Sequence, residues 1–410
     1  MRILHIEEMF HPFIGYQINV LPKFQAQQGH EVAILSLHGY YPRVAAVYDN
    51  SKIDEYDRRY TEETGVRIYR EKIKRLLFRR PLFDKRVIDR IREYDPDIIM
   101  CHGNGVFICI QILLWRNRIK KPLIFDSHML ELAHRSKFHN LYARLYRLFI
   151  KPIIVRNHFY VIKTADDPYL NVSHGIPEPL TPYLGFGADV SLFFPDADVK
   201  RQMREKYGIA DDERVFLYTG KVSAEKGGEL LAKALLKKFP EEGGKKPVFV
   251  IVASYRSQYE VMVREMLKAS ENRIIQLPLQ KYPDLPAFYQ FADVMFFPKQ
   301  CSLSFFDAQA CGVPVILEDI NINRDRVVYG NGCTFESGSV NGLRARIEEY
   351  LNMDEDALRE LSENSCRLIR EKYSYEEIAQ RYTEQMEKAI AEYNAAHSKK
   401  KSKRGSRETA

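Results

Sequence analysis

Twelve short apolar runs, each followed by a longer segment of mixed apolar and polar periodicity, constrain this 410-residue chain more than any other feature. In the first half they are Ile3–Ile6, Val32–Leu37, Val66–Tyr69, Ile98–Cys101, Leu123–Phe125 and Phe159–Ile162. In the second half they are Val215–Tyr218, Val248–Val252, Ile274–Leu277, Val294–Phe297, Val315–Leu317 and Cys333–Phe335. Near-continuous β-branched runs mark strands buried on both faces, and the helical segments between them supply the crossovers of a parallel sheet. The expected fold class is α/β, with two successive doubly wound domains, and the chain is long enough for two cores. The Gly/Pro-rich segment Pro177–Gly187 marks the linker, giving domains 1–185 and 186–372. Residues 373–397 are expected to form a C-terminal helix, begun at Tyr375, that packs back on the first domain. Residues 398–410, rich in Lys, Arg and Ser, are expected to be a disordered basic tail.

Charge is uneven. Residues 1–185 carry net +8, residues 186–397 net −6 and the tail net +5. A basic first half suits an anionic surface or substrate. The segment His134–Arg156 contains Arg135, Lys137, Arg144, Arg147, Lys151 and Arg156 with no acid, and Leu141, Leu145 and Leu148 share one helical face. It reads either as a solvated helix face or as a peripheral contact with anionic membrane. No stretch approaches the ~20 apolar residues of a membrane span, and Met1–Glu8 enters a strand without a secretory pattern. A cytoplasmic location is expected, at most peripheral at the inner face of the membrane. Six scattered cysteines without a C-x-x-C pair read as reduced core residues. Basic residues without interleaved aromatics disfavour nucleic acid.

Chemistry-bearing residues cluster after strands. Phe297–Pro298–Lys299–Gln300–Cys301–Ser302–Leu303–Ser304 reads as a polar loop feeding a short helix Phe305–Cys311, whose N-terminal amides suit a phosphate. Asp307, one turn in, fits either a ribose hydroxyl or a helix cap. Lys221 and Lys226, in Thr219–Gly220–Lys221…Lys226–Gly227–Gly228, lie between a strand end and a helix start, where cations neutralise a diphosphate. His128 follows the strand ending at Phe125, with Asp126 two positions earlier. His102 is a weaker candidate of the same kind. Gly15 lets a ligand approach the backbone after the first strand. There is no Gly-x-Gly-x-x-Gly fingerprint and no Walker loop.

Taken in order, these pieces resemble the family 4 glycosyltransferases of GT-B fold, in which two Rossmann-like domains face each other across a cleft. The resemblance runs over Gly15…Gly29–His30–Glu31–Val32, Gly185–Phe186–Gly187–Ala188–Asp189…Phe194–Pro195, Gly220–Lys221…Lys226–Gly227, and Asp307–Ala308–Gln309–Ala310–Cys311–Gly312–Val313–Pro314–Val315. It implies that Gly15 admits backbone amides to the donor phosphate and that His128 sits by the donor sugar. It further implies that Lys221 and Lys226 hold the diphosphate, that Ser302, Leu303 and Ser304 offer it loop amides, and that Asp307 binds the ribose. His128, Lys226 and Asp307 would be the catalytic set. The chain departs from the family at three places: Lys299 stands where the first of two glutamates would fall and Asp307 replaces the second, Lys221 replaces an arginine, and Ile14 replaces a glycine.

The function this implies is transfer of a sugar, with retention, from a nucleotide diphosphate sugar to a hydroxyl of a saccharide or lipid-linked acceptor. No tightly bound cofactor and no metal are expected. Two alternatives share the architecture: a non-catalytic subunit that binds a sugar nucleotide or saccharide, and a sugar-nucleotide 2-epimerase.

Overall fold

The computed structural model describes residues 1–77, 80–129, 139–240, 244–299, 302–324 and 326–408, with side chains omitted at 322 and from 399 onward. The chain divides into two compact units: Met1–Phe186 together with Glu376–Ala410, and Gly187–Tyr375.

In the first unit, β1 (Arg2–Glu7), β2 (Glu31–Leu37), β3 (Arg67–Glu71), β6 (Ile98–Cys101), β7 (Leu123–Ser127) and β8 (Tyr160–Lys163) form a parallel sheet in the order β3-β2-β1-β6-β7-β8. Between β3 and β6 lies an antiparallel pair, β4 (Ile73–Leu77) with β5 (Arg80–Phe83), which sequence patterning missed. Its first strand, Ile-Lys-Arg-Leu-Leu, is largely exposed, so it lacks the apolar signature of the sheet strands.

The second unit repeats the plan. There β9 (Glu213–Lys221), β10 (Lys246–Ser254), β11 (Arg273–Pro278), β12 (Val294–Phe297), β13 (Val315–Glu318) and β14 (Gly332–Phe335) pair in parallel in the order β11-β10-β9-β12-β13-β14. Phe216, Phe249 and Phe296 meet at ring distances of 5.5–6.4 Å in its core, covered by Leu231, Ile347 and Tyr350. All twelve expected strands are present, and both sheets have the doubly wound order of a Rossmann-like domain.

The sequence boundaries need three corrections. The chain passes between the units at Phe186/Gly187 rather than at 185/186, and the second unit extends to Tyr375. The helix start expected beside Lys226 falls at Gly228, because Ala224–Lys226 is a single 3-10 turn and Gly227 is left-handed at φ 74°. The last helix runs Tyr375–Glu408, so residues 398–408 continue it where a disordered tail was expected. Lys and Arg are good helix formers and extend an established helix at little cost. That helix belongs to the first unit from Glu376. It buries Ile378, Tyr382, Met386 and Ala389 along one face, and Tyr382 donates to the Leu184 carbonyl at 3.1 Å.

Five of the six cysteines are free thiols: Cys101, Cys109 and Cys311 are buried, and Cys333 and Cys366 half-buried. Cys301 lies outside the described residues, as do Gln300 and residues 134–138 of the basic segment. Among the described residues no helix is long and apolar enough to cross a membrane.

Candidate functional site

In the second unit, four sequence segments converge at the carboxyl ends of β9 and β12, where ligands bind in open α/β sheets. A Cβ on Gly227 would lie 3.1 Å from both the Pro298 carbonyl carbon and Lys299 Cβ. The Lys226–Gly227 turn therefore packs directly on the loop leaving β12. Lys299 Nζ lies 3.5 Å from the Ala224 carbonyl of the same turn. A second bridge starts at the end of β9: Thr219 Oγ1 meets the Tyr289 hydroxyl at 3.2 Å, Tyr289 bonds Ser304, and Ser304 Oγ lies 2.6 Å from Ser302 Oγ. The lysine loop and the Ser302–Ser304 loop are thus tied together. The helix after them is Ser304–Ala310, one residue earlier than expected at each end. A cavity of about 350 Å³ opens beside the turn, lined by Ala224, Gly227, Glu229, Tyr259, Lys299 and Glu318. Pockets that enclose small ligands begin at about this size.

Asp307 is only 7% exposed. Burial, reinforced by the nearby Asp189 carboxylate, pushes its carboxyl well above the usual range. Tyr282, Tyr289 and Tyr375 share its electrostatic surroundings. Asp307 does not line the 350 Å³ cavity. A carboxyl whose folded pKa is raised holds its proton more tightly in the native state. Its contribution to stability is full below the ordinary value near 4 and is lost as pH rises through the folded value. Between pH 5 and 8 wild type should therefore lose more stability than Asp307→Asn. The gap should widen by about 1.4 kcal/mol per pH unit while the folded carboxyl keeps a proton that the unfolded one has released. Urea denaturation at the two pH values checks this, and equal losses in the two proteins would contradict it.

In the first unit, strand register builds a polar row. Ile6 pairs with Cys101 and Cys101 with Phe125, so one step further Glu7, His102 and Asp126 lie side by side on one face of three adjacent strands. His128 follows Asp126 at i+2 on the same face. Asp126 is fully buried; its Oδ1 accepts from the Gly103 amide at 2.7 Å and lies 3.4 Å from His128 Nε2, while its Oδ2 lies 2.8 Å from His102 Nδ1. His128 itself is 43% exposed and stacks on Phe186 at 5.3 Å. Burial pushes Glu7 up to about 7, against the pull of His102. Donor atoms of His102, Asp126 and His128 all lie within 4.8 Å of one another. A tetrahedral zinc ion with ligands at about 2.0–2.1 Å keeps them about 3.3 Å apart. His102 Nδ1 and Asp126 Oδ2, at 2.8 Å, are closer to each other than that.

Gly15, also in this unit, is left-handed at φ 74° and precedes the helix Gln17–Gln27. Thus Gly15 and His128 sit in the first unit, and Lys221, Lys226, Ser302, Leu303, Ser304 and Asp307 in the second. Sequence reasoning missed Glu7 altogether. Its signal was an acid at the carboxyl end of the first strand, two residues after His5, where a sheet interior has no use for a charge.

Comparison with known proteins gives two family matches. The model described as Glycosyltransferase Family 4 matches residues 19–158, and Glycosyl transferases group 1 matches residues 199–367. A D-inositol 3-phosphate glycosyltransferase of Xylanimonas cellulosilytica is 30% identical over 142 residues, 32% of this chain and 33% of that one. A GDP-mannose-dependent alpha-(1-6)-phosphatidylinositol monomannoside mannosyltransferase of Mycolicibacterium smegmatis is 27% identical over 155 residues, 34% of this chain and 38% of the other. The chain thus spans about a third of the length of these curated relatives. Among solved structures, a glycosyltransferase from Rickettsia africae superposes with TM-score 0.73 at 14% identity, covering 95% of this chain and 98% of that one. Anabaena Alr3699/HepE in complex with UDP and glucose gives 0.71 at 16%, covering 95% and 100%. At such identities the likeness establishes the fold.

Proposed function

The chain belongs to the family 4 glycosyltransferases of GT-B fold, and from that premise we propose that it transfers a hexosyl group from a nucleotide diphosphate sugar to an acceptor hydroxyl, with retention at the anomeric carbon. The observation that carries this reading is the packing of the Lys226–Gly227 turn on the loop leaving β12, with the Ser302–Ser304 loop tied to the end of β9 and a cavity of about 350 Å³ beside the turn. As the bond from the anomeric carbon to the diphosphate oxygen breaks, negative charge grows on the leaving phosphate. In this reading the two lysines, with the amides of Ser302, Leu303 and Ser304, oppose that charge. In this reading protein cations take the part a metal ion plays elsewhere. Gly15 and His128 are carried over as the residues that serve the donor phosphate and donor sugar from the first unit, and Asp307 as the ribose ligand. The test is release of nucleoside diphosphate from a panel of UDP-, GDP- and ADP-sugars, dependent on an added acceptor. Release without acceptor dependence, or none from any donor, would sink the proposal.

The acceptor is proposed to be lipid-linked or saccharide, approached at an anionic membrane face. In the helical segment His139–Asn157, Leu141, Leu145, Leu148 and Phe149 are 46–65% exposed, and Arg144 and Lys151 flank them. Positions 141, 145, 148 and 149 recur at helical spacing, so apolar and cationic side chains present together. In flotation assays the protein should bind phosphatidylglycerol vesicles at low salt and bind phosphatidylcholine vesicles weakly. The double variant Leu145→Asp/Leu148→Asp should reduce that binding at least about tenfold, given ~1.5–3 kcal/mol per buried leucine. Equal binding by variant and wild type would discard this face.

A further inference from the structure

The cavity beside the Lys226–Gly227 turn is lined by four charged side chains, and two of them are left incompletely partnered by the protein. Glu229 and Lys233 pair with each other at 2.8 Å. Lys299 and Glu318 do not pair. Lys299 Nζ makes one long contact, 3.5 Å to the Ala224 carbonyl, and has no ion-pair partner among the described residues. An ammonium has three hydrogens to place. Glu318 is only 3% exposed. Its Oε1 accepts from the Ser337 hydroxyl at 2.9 Å and from the Gly338 amide at 3.0 Å, which uses both lone pairs. Its Oε2 accepts from no group among the described residues. A buried carboxylate oxygen in that condition calls for a donor.

Neither Lys221 nor Lys226 lines this space, so its ammonium and carboxylate meet a part of the ligand other than the one assigned to those lysines. A volume of about 350 Å³ holds roughly a dozen non-hydrogen atoms at ~30 Å³ each. That is one sugar ring with its substituents, and less than a nucleoside diphosphate. A nucleoside carries no negative charge for the ammonium. A neutral hexose would satisfy Glu318 and leave Lys299 without a counter-charge. A hexuronic acid supplies both, hydroxyls that donate to Oε2 and a carboxylate that receives the ammonium. We propose that this cavity holds the transferred sugar and that Lys299 selects donors whose sugar bears a carboxylate, a hexuronosyl group, while Glu318 accepts from one of its hydroxyls. Gly227 lines the cavity and directly follows Lys226, so a sugar here lies next to a diphosphate held by that lysine. Lys299 is also the place where a glutamate of the family pattern is replaced, so the charge of that wall is reversed. The inference rests on the function proposed above, which leaves the class of sugar open.

The test is titration calorimetry of the full chain with free UDP, GDP and ADP and with matched donors: UDP-glucose against UDP-glucuronic acid, GDP-mannose against GDP-mannuronic acid, and ADP-glucose against ADP-glucuronic acid. In one of these pairs wild type should bind the uronic member about tenfold or more tighter, the usual worth of one charge-assisted hydrogen bond. Lys299→Gln should bring that pair within about twofold and Lys299→Glu should invert it, while both bind the free nucleoside diphosphate within about twofold of wild type. Lys299 is half-buried and its one contact is long, so these variants leave the fold in place. Glu318→Gln can still accept from Ser337 and Gly338 through its amide oxygen. It should weaken both members of the pair and keep their ratio. A preference for the neutral sugars, or a uronic preference that survives Lys299→Gln, overturns the inference and leaves the functional reading standing. So does a Lys299→Gln variant that loses the free nucleoside diphosphate as much as the sugar nucleotide, because the ammonium would then serve the phosphates. If no nucleotide and no sugar nucleotide binds, the functional reading fails and this inference with it.

Discussion

Lys226→Ala should lower turnover by about 10²–10³-fold, the usual cost of removing one preorganised group that meets developing charge. Lys226 ends the 3-10 turn Ala224–Lys226, and the left-handed Gly227 after it fixes the direction in which the chain leaves. The turn is braced by its contact with Pro298 and Lys299, so losing one lysine side chain leaves the local backbone in place. Charge on the leaving diphosphate is larger in the transition state than in the bound donor. The loss should therefore fall more on kcat than on KM. Lys226→Arg keeps the charge but exchanges a compact ammonium for a planar fork, and should retain part of the activity. Steady-state release of nucleoside diphosphate measures all three proteins. Turnover of Lys226→Ala within twofold of wild type would remove Lys226, and with it the proposed mode of leaving-group stabilisation.

How much of the molecule is legible in one dimension follows from the physical signal each feature leaves there. Strands such as Val294–Phe297 are buried over all four residues, and burial on both faces writes a continuous apolar run. The β4/β5 hairpin writes no such run, because most of its side chains are in solvent. At the second site, glycines and lysines near strand ends were readable, since turns and phosphate cradles use few residue types. The helix start was not: Gly227 and Gly228 look alike in sequence, yet one is needed for its left-handed φ and the other for its lack of a side chain. The histidine row was hardest. Asp126 and His128 are two apart and share a face by strand geometry alone, but Glu7, His102 and Asp126 become neighbours only through the order β1-β6-β7. Gln25 and Met386, whose side chains meet at 3.6 Å, are 361 residues apart.

Gly228→Ala should damage both stability and donor handling. A Cβ there would lie 2.0 Å from the Val222 carbonyl oxygen and 2.6 Å from its carbonyl carbon, distances that no rotamer relieves because the obstacle is backbone. Val222 is fully buried and follows Lys221 directly, so the strain relaxes by moving the segment that carries Lys221 toward Lys226. Overpacking a well-filled site costs about 1–3 kcal/mol and occasionally more. For a unit of this size each kcal/mol lowers Tm by about 2–4 °C, so a fall of about 2–12 °C is expected. Gly220→Ala is the contrasting case: its φ of 132° is strained for alanine, but its Cβ would meet nothing within 4 Å. It should lower Tm without displacing Val222, and at a temperature where both variants are folded it should keep more nucleotide affinity than Gly228→Ala. Calorimetry together with titration of UDP and GDP separates the two effects. If Gly228→Ala melted within about 1 °C of wild type, a margin worth under 0.5 kcal/mol, the close packing of that helix start on Val222 would be wrong, and so would the account of how the two lysines are aimed.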